Sequence, residues 1–156
     1  MLTEVTGQEG PAPDGIIPII ASRYNESICD ALVEGSIKSL KEAGVSEDRI
    51  RVIRVPGAWE LPLAAATAMG QSETVGVITL GCVIKGETTH DEHINRSVSD
   101  ALMKMSVETR KPIGFGLLTC NTLEQALQRS GGTVGNKGEE AAEAVLEMLR
   151  LGQKLL

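Results

Sequence analysis

The alternation of short β-branched runs with longer segments of helical periodicity most restricts what this chain can fold into. Four apolar runs read as strands, and segments in which apolar residues recur at helical spacing separate and follow them. The predicted strands are 16–21, 49–55, 75–80 and 112–119, and the predicted helices are 26–43, 59–69, 91–108, 122–129 and 139–153. Strands joined through helices by short turns indicate a parallel sheet covered on both faces. We therefore expect an α/β protein of three layers, with helices on both sides of a four-stranded parallel sheet.

Length and charge restrict the class further. A chain of 156 residues is expected to form one domain with a full core. Residues 1–15 are polar and include Gly10, Pro11, Pro13 and Gly15. We therefore expect an N-terminal arm at 1–15 and a compact domain at 16–156. The net charge of −6 argues against a nucleic-acid partner. No apolar run approaches the roughly 18 residues that a membrane span needs.

The cysteines indicate a reducing compartment. Cys29, Cys82 and Cys120 are odd in number and widely spaced, a pattern that predicts neither a disulfide framework nor a zinc site. The N-terminus also lacks the basic and apolar regions of a signal peptide. We expect buried, reduced thiols in a cytoplasmic protein.

The segment after the third strand carries the chemistry that stands out. Residues 85–90 supply a cation, two hydroxyl groups and an imidazole just before a helix. Free backbone N–H groups at such a strand-to-helix junction suit an anion, and His90 could transfer protons near neutral pH. The alternative is that Thr88 or Thr89 only caps the helix and His90 is an ordinary surface residue.

The few aromatic residues indicate a flat ligand. The chain has one tyrosine, one tryptophan and one phenylalanine. Tyr24 and Trp59 follow strand ends, which is the edge where open α/β sheets bind ligands. Phe115 lies inside the fourth strand and reads as a core residue from the pattern alone.

The roles of three further features cannot be assigned from the pattern alone. Arg129 could bind a phosphate group or only interact with the end of a helix. The glycine-rich segment 130–138 could hold a phosphate, but it does not follow a strand, which disfavours a dinucleotide site. His93 is typical of a surface residue.

Six colinear motifs from Ile16 to the C-terminus carry a resemblance to a known family. The chain resembles the 6,7-dimethyl-8-ribityllumazine synthases at residues 22–26, 55–62, 81–90, 114–119, 124–131 and 135–138. The resemblance implies a flavodoxin-like fold. It also implies the penultimate step of riboflavin biosynthesis, in which 5-amino-6-(D-ribitylamino)uracil condenses with 3,4-dihydroxy-2-butanone 4-phosphate and phosphate and water are released. No metal or organic cofactor is implied.

The resemblance assigns roles to residues of this sequence. The pyrimidine and its ribityl chain are expected to contact side chains or backbone of Tyr24, Ala58, Trp59, Glu60, Cys82, Val83, Ile84, Phe115 and Lys137. Within this set, the resemblance implies that Glu60 accepts hydrogen bonds from the ribityl chain. The phosphate is expected on the backbone of Glu87 and Thr88 and on Arg129, and His90 is the expected proton shuttle. Phe115, Arg129 and Lys137 are expected from a neighbouring subunit.

Some residues depart from the family pattern. Asp91 stands where the family usually has an aromatic residue, and His93 is also unusual; we expect both to lie outside the residues that contact substrate. Glu87 is acidic beside the expected phosphate, so it should act through its N–H group. Lys85 replaces a more frequent arginine.

The resemblance also implies assembly. Family members form pentamers, and the short turn at 131–138 favours a hollow icosahedral shell of 60 subunits. Riboflavin synthase is an expected partner. Two other readings use the same residues: a flavin- or lumazine-binding protein without catalysis, and a shell protein whose main role is assembly. His90 and Arg129 argue for catalysis, because passive binding of a ring requires neither.

Overall fold

The chain folds around one parallel sheet. A computed structural model describes residues 1–156. Its main sheet contains β1 (Ile17–Ser22), β2 (Ile50–Val55), β3 (Val77–Ile84) and β4 (Ile113–Cys120) in the order β2-β1-β3-β4, with every pair parallel. All carboxyl ends of the strands therefore point to the same edge.

Five helices connect and cover the strands. They are α1 (Glu26–Glu42), α2 (Leu61–Met69), α3 (His90–Thr109), α4 (Leu123–Arg129) and α5 (Lys137–Lys154). One buried cluster joins one sheet face to α1, α4 and α5, and a second joins the opposite face to α2 and α3. The expected three-layer α/β fold of the flavodoxin-like type is confirmed.

The central strands owe their burial to this layering. All six residues of β1 are buried, as expected for a strand with helices on both faces. Edge strand β2 is only partly buried, and Arg51 and Arg54 point to solvent. Edge strands that expose charged side chains resist unwanted pairing.

Strand β3 is longer than the sequence predicted. We expected it to end at Leu80, but it continues to Ile84 because Cys82, Val83 and Ile84 pair with residues of β4. The partner residues lie more than thirty positions further along the chain, so the local pattern could not show the pairing. This extension brings the end of β3 to the edge of the sheet where the loops gather.

The glycine-rich segment forms a small hairpin that the sequence did not predict. Ser130–Gly132 (β5) pairs antiparallel with Gly135–Asn136 (β6), and Gly131 and Gly135 have positive φ angles that other residues rarely adopt. The Asn136 Oδ1 accepts hydrogen bonds from the N–H groups of Gly138 and Glu139, so α5 begins two residues earlier than expected. The Asn136 Nδ2 donates to the Ala31 carbonyl of α1 at 3.1 Å. In this chain the segment docks α5 onto α1.

The N-terminal residues lie along the body of the same chain. The Lys154 ammonium donates to the carbonyl groups of Thr6 and Glu9, and the Arg49 guanidinium donates to those of Pro13 and Gly15. Gly7 is buried against the backbone of α5. No helix of the chain combines the length and the apolar character that crossing a membrane requires.

Candidate active site

The largest hollow of the chain lies at the carboxyl edge of the sheet. It has a volume of about 560 Å³ and gathers the loops that follow β1, β2 and β3. Its lining residues are Tyr24, Pro56, Gly57, Ala58, Trp59, Glu60, Cys82, Val83, Ile84, Gly86, Thr88, His90, Asp91 and Ile94. Seven of the nine residues expected to contact the pyrimidine or its ribityl chain therefore line one cavity. Of the four residues expected to bind phosphate or transfer protons, Thr88 and His90 also line it.

The loop after β1 presents Tyr24 to this cavity. Asn25 adopts a left-handed backbone conformation, and its Nδ2 donates to the Cys82 carbonyl at 2.8 Å. The Tyr24 N–H donates to the Ser22 Oγ at 3.1 Å, which closes a tight turn. These hydrogen bonds fix the loop to the ends of β1 and β3. The Tyr24 side chain remains 72% exposed. A fixed, exposed ring is suited to stacking on a flat ligand.

A short 3₁₀ turn after β2 presents Trp59 and Glu60. The turn Ala58–Glu60 precedes α2, and Pro62 occupies the first turn of that helix as expected. Ala58 is buried and anchors the turn, whereas Trp59 is 61% exposed. The carboxylate of Glu60 therefore stands beside an aromatic surface at the cavity wall.

The loop from Gly86 to Thr89 presents free backbone donors. The N–H groups of these four residues donate no hydrogen bond within the chain. The Thr88 Oγ1 accepts a bond of 3.3 Å from the His90 N–H, while Thr89 makes no side-chain cap, so Thr88 supports the start of α3. The helix-capping interpretation and the anion-site interpretation are compatible, because the cap uses one N–H and leaves the others free.

That Glu87 acts through its backbone stays a prediction. It lies between Gly86 and Thr88, which line the cavity, yet it is not itself a lining residue. No group of three His, Cys, Asp or Glu side chains is arranged to hold a metal ion.

The three thiols are buried and form no disulfide, as expected, and Cys82 lies in the cavity wall. Burial raises the pKa of the Cys82 thiol to about 12, and the nearby Cys29 and Cys120 thiols raise it as well. Burial also raises the pKa of Cys29 to about 11, although Arg54 opposes that shift. Neutral thiols of this kind are poor nucleophiles, so they have no covalent role near neutral pH.

Besides Glu87, three of the expected site residues lie outside this cavity in the single chain. Phe115 lies on β4 in a smaller hollow against α3. Arg129 ends α4, where its guanidinium donates to the Gln125 carbonyl at 3.0 Å, and Lys137 begins α5, 3.9 Å from the Glu140 carboxylate. The interpretation of Phe115 as a core residue is wrong, because the ring is 41% exposed at the edge strand.

Asp91 lines the cavity, although we expected it outside the residues that contact substrate. The first turn of α3 turns His90, Asp91 and Ile94 toward the 3₁₀ turn that carries Glu60. The sequence carried a usable signal, since residues 90, 91 and 94 share one helical face.

The parallel sheet, the two helical layers and the cavity at the carboxyl edge define a flavodoxin-like α/β protein whose ligand site is built from loops after the strands. The profile of the 6,7-dimethyl-8-ribityllumazine synthase family matches residues 16–153. The chain belongs to this family.

Individual relatives agree with this assignment. A 6,7-dimethyl-8-ribityllumazine synthase of Rhodopirellula baltica is 60% identical over 154 residues, which cover 99% of each chain. That of Stenotrophomonas maltophilia is 47% identical over 137 residues, or 88% of each chain. That of Aquifex aeolicus is 44% identical over 137 residues, or 88% of this chain and 89% of the relative. The expected function is confirmed: this is a transferase family of riboflavin biosynthesis, and its reaction is the condensation of the ribitylaminouracil with the butanone phosphate.

Proposed function

We propose that the cavity at the carboxyl edge holds both substrates of the condensation and that His90 moves the protons. The observation that carries the proposal is the gathering of two exposed aromatic rings, a carboxylate, free N–H groups and an imidazole around one hollow. The pyrimidine stacks on Tyr24 and Trp59, and its polar edge meets backbone groups of Ala58, Cys82, Val83 and Ile84. Glu60 accepts hydrogen bonds from the ribityl hydroxyl groups.

The phosphate of the second substrate binds at the loop before α3. The free N–H groups of Glu87 and Thr88 donate to its oxygens, and the positive end of α3 favours the negative charge. The primary amine of the pyrimidine attacks the ketone, and loss of water gives an imine. Elimination of phosphate, ring closure by the ribitylamino nitrogen and loss of a second water complete the reaction. His90, exposed at the cavity mouth, accepts and returns protons in these steps.

A neighbouring subunit completes the site. Phe115, Arg129 and Lys137 lie outside the cavity of their own chain, and Arg129 uses one guanidinium nitrogen within α4 while its other donors remain free for phosphate. Exposed apolar side chains lie on two of these elements and on the neighbouring α3: Phe115 on β4, Leu123 and Leu127 on α4, and Met103 and Val107 on α3. Exposed apolar surface of this kind marks contacts between proteins. We propose a cyclic pentamer in which these three residues reach the next subunit's cavity.

We infer the assembly of pentamers and the location in the cell from membership of the same family. The short hairpin before α5 favours closure of twelve pentamers into a shell of 60 subunits, with riboflavin synthase as a partner. The free, buried cysteines suit the cytoplasm. Residues 16–156 form the catalytic domain, and residues 1–15 form an arm.

Replacement of His90 tests the catalytic role, and the same helix supplies a control. His90→Ala should lower kcat by about 10²–10³, within the range that proton transfer contributes, with binding of the pyrimidine nearly unchanged. His93→Ala removes the other imidazole of α3, which is exposed and outside the cavity lining, and should leave kcat unchanged.

Steady-state kinetics with both substrates from about pH 6 to 8 measure the difference. Equal kcat in wild type and His90→Ala across that range would remove His90 from the mechanism. Binding of the pyrimidine by a wild-type protein without turnover would instead support a passive ring-binding protein.

A further inference from the structure

Asn25 uses its side chain in a way that the start of α1 does not require. It occupies the position before the first residue of α1, yet its side chain makes no cap to the helix. Thr122 and Asn136, at the same position before α4 and α5, accept hydrogen bonds from the first turns of their helices. An asparagine before a helix normally stabilises it in this way. The side chain of Asn25 therefore makes another contact in place of a cap.

That contact joins the loop after β1 to β3. The Asn25 Nδ2 donates to the Cys82 carbonyl at 2.8 Å, across 57 positions of the sequence. A carbonyl oxygen only accepts, so the amide nitrogen must face it. The pairing of β1 with β3 ends at Ala21 and Leu80, whereas β3 continues to Ile84. The Asn25 amide thus holds the loop to the part of β3 that extends beyond its pairing with β1.

The bond fixes the residue that presents the aromatic ring. Tyr24 immediately precedes Asn25, and both Tyr24 and Cys82 line the cavity, whereas Asn25 does not. On the other side of β1, the Arg23 N–H donates to the Val55 carbonyl of β2 at 2.8 Å. The loop is therefore attached to both strands that flank β1. Of these two attachments, the one to β3 comes from a side chain.

The backbone of Asn25 explains why an asparagine serves here. Its φ of 58° and ψ of 53° lie in the left-handed region, which glycine, asparagine and aspartate adopt more readily than other residues. An ionised aspartate has no donor for a carbonyl group, and glycine has no side chain. Among the three, asparagine alone combines this backbone conformation with an N–H donor.

We propose that Asn25 is a positioning residue: its bond to the Cys82 carbonyl holds the Tyr24 ring in the orientation that stacks on the pyrimidine. The inference rests on the proposed placement of the pyrimidine against Tyr24. Without the bond, the loop occupies the binding conformation for a smaller fraction of the time, and the apparent affinity falls by that fraction. Because Asn25 acts on the loop before the substrate binds, its loss should raise the KM for the pyrimidine and change kcat little.

A double-mutant cycle tests whether Asn25 acts through Tyr24. The single variants are Tyr24→Ala and two that keep the left-handed backbone without the donor, Asn25→Gly and Asn25→Asp; the double variant combines Asn25→Gly with Tyr24→Ala. Lys111→Met is the matched control, because it removes another bond from a side chain to a distant carbonyl, that of Met69 at 3.2 Å, outside the cavity. The Kd of 5-amino-6-(D-ribitylamino)uracil is measured on the assembled protein through the fluorescence of Trp59, the only tryptophan. Steady-state kinetics and the melting temperature are measured for each protein.

Asn25→Gly should raise the Kd of the pyrimidine about three- to tenfold, the range expected for loss of one hydrogen bond. Asn25→Asp should raise it at least as much, because its carboxylate repels the carbonyl oxygen. The KM for the pyrimidine should rise similarly, with kcat and the KM for the butanone phosphate nearly unchanged. In the Tyr24→Ala background, Asn25→Gly should have no further effect on the Kd, since the ring that it positions is absent. Lys111→Met should keep the wild-type Kd and KM even where it lowers the melting temperature.

The outcomes separate this inference from the proposed function. If Tyr24→Ala left the Kd at its wild-type value, the placement of the pyrimidine against this ring would be overturned. Weaker binding by Tyr24→Ala together with wild-type binding by both Asn25 variants would overturn the role of Asn25 alone. Equal factors from Asn25→Gly in both backgrounds, or a Kd that rises in Lys111→Met as well, would also overturn it, in favour of a general contribution to folding stability.

Discussion

At the level of single residues, two aromatic side chains at the cavity are exposed to solvent rather than buried in the core. Tyr24 and Trp59 are two of only three aromatic residues, yet both are mostly exposed, and an aliphatic core replaces them in the interior. Burying such rings would contribute favourably to folding. Their exposure beside a carboxylate and a set of free N–H groups is what a site for a flat, polar substrate requires. The three thiols are instead buried.

The buried thiol of Cys82 predicts a pH dependence of stability. Its pKa is about 12 in the folded chain and 9.0 when the group is free. Between these values the unfolded chain loses the proton and the folded chain keeps it, so the free energy of unfolding should fall as pH rises above 9. Below pH 9 the thiol is protonated in both states and has no effect.

A comparison with Cys82→Ala isolates this contribution. The urea midpoint of wild type should drop more between about pH 8 and pH 10.5 than that of Cys82→Ala, because lysine and tyrosine titrations are common to both proteins. Parallel changes in the two midpoints would show that the thiol titrates normally.

The close contact between α1 and α5 depends on one glycine. A Cβ atom at Gly138 would lie 2.0 Å from the Leu32 carbonyl oxygen, so the two helices would have to separate. The Ser36 Oγ donates to the Gly138 carbonyl at 2.8 Å, and Asn136 binds the Gly138 N–H, so separation would also strain these bonds. This contact joins the hairpin, the start of α5 and the middle of α1 into one unit.

Two substitutions in α5 test the contact. Gly138→Ala should lower the free energy of unfolding by about 1–3 kcal/mol through overpacking. Gly152→Ala lies in the same helix with no atom near the new methyl group, and should raise it by about 0.5–1 kcal/mol because alanine favours the helix. Denaturant unfolding of both variants gives the values. Stabilisation by Gly138→Ala would contradict the close packing of α5 on α1.

In the whole molecule, the proposed site is divided between two subunits. His90 lies at the cavity, whereas Arg129 lies outside it at the end of α4. In a closed ring with head-to-tail contacts, each cavity would combine His90 of one subunit with Arg129 of the next. Sedimentation of the native protein should show 60 subunits; a species of only five would contradict the shell but not the ring.

Complementation between two inactive variants tests the shared site. Arg129→Ala and His90→Ala subunits are unfolded together in equal amounts and refolded. Each cavity draws its two subunits independently, so about one in four should contain both native residues and recover up to about a quarter of wild-type activity. This holds provided that each variant alone is nearly inactive. Refolding the variants separately and mixing them afterwards should recover nothing, and equal low activity in both mixtures would mean that each subunit carries its own site.

The type and order of the main elements were predictable from the amino-acid sequence alone. Apolar periodicity follows from which residues must face the interior, so β1, α1, α3 and β4 could be predicted to within a few residues. Because parallel strands place their carboxyl ends together, the same pattern brought Tyr24, Trp59 and the loop before His90 to one edge. The cavity confirms that grouping.

Features that depend on contacts between distant residues could not be predicted and became visible in the folded chain. The extension of β3 to Ile84 requires its partner β4, and the hairpin before α5 requires the paired glycines and the bond from Asn136 to α1. Phe115 looked like a core residue but lies exposed on an edge strand, and Asp91 looked peripheral but lines the cavity. Burial is set by what packs against a side chain in space, and neither composition nor spacing along the chain contains that information.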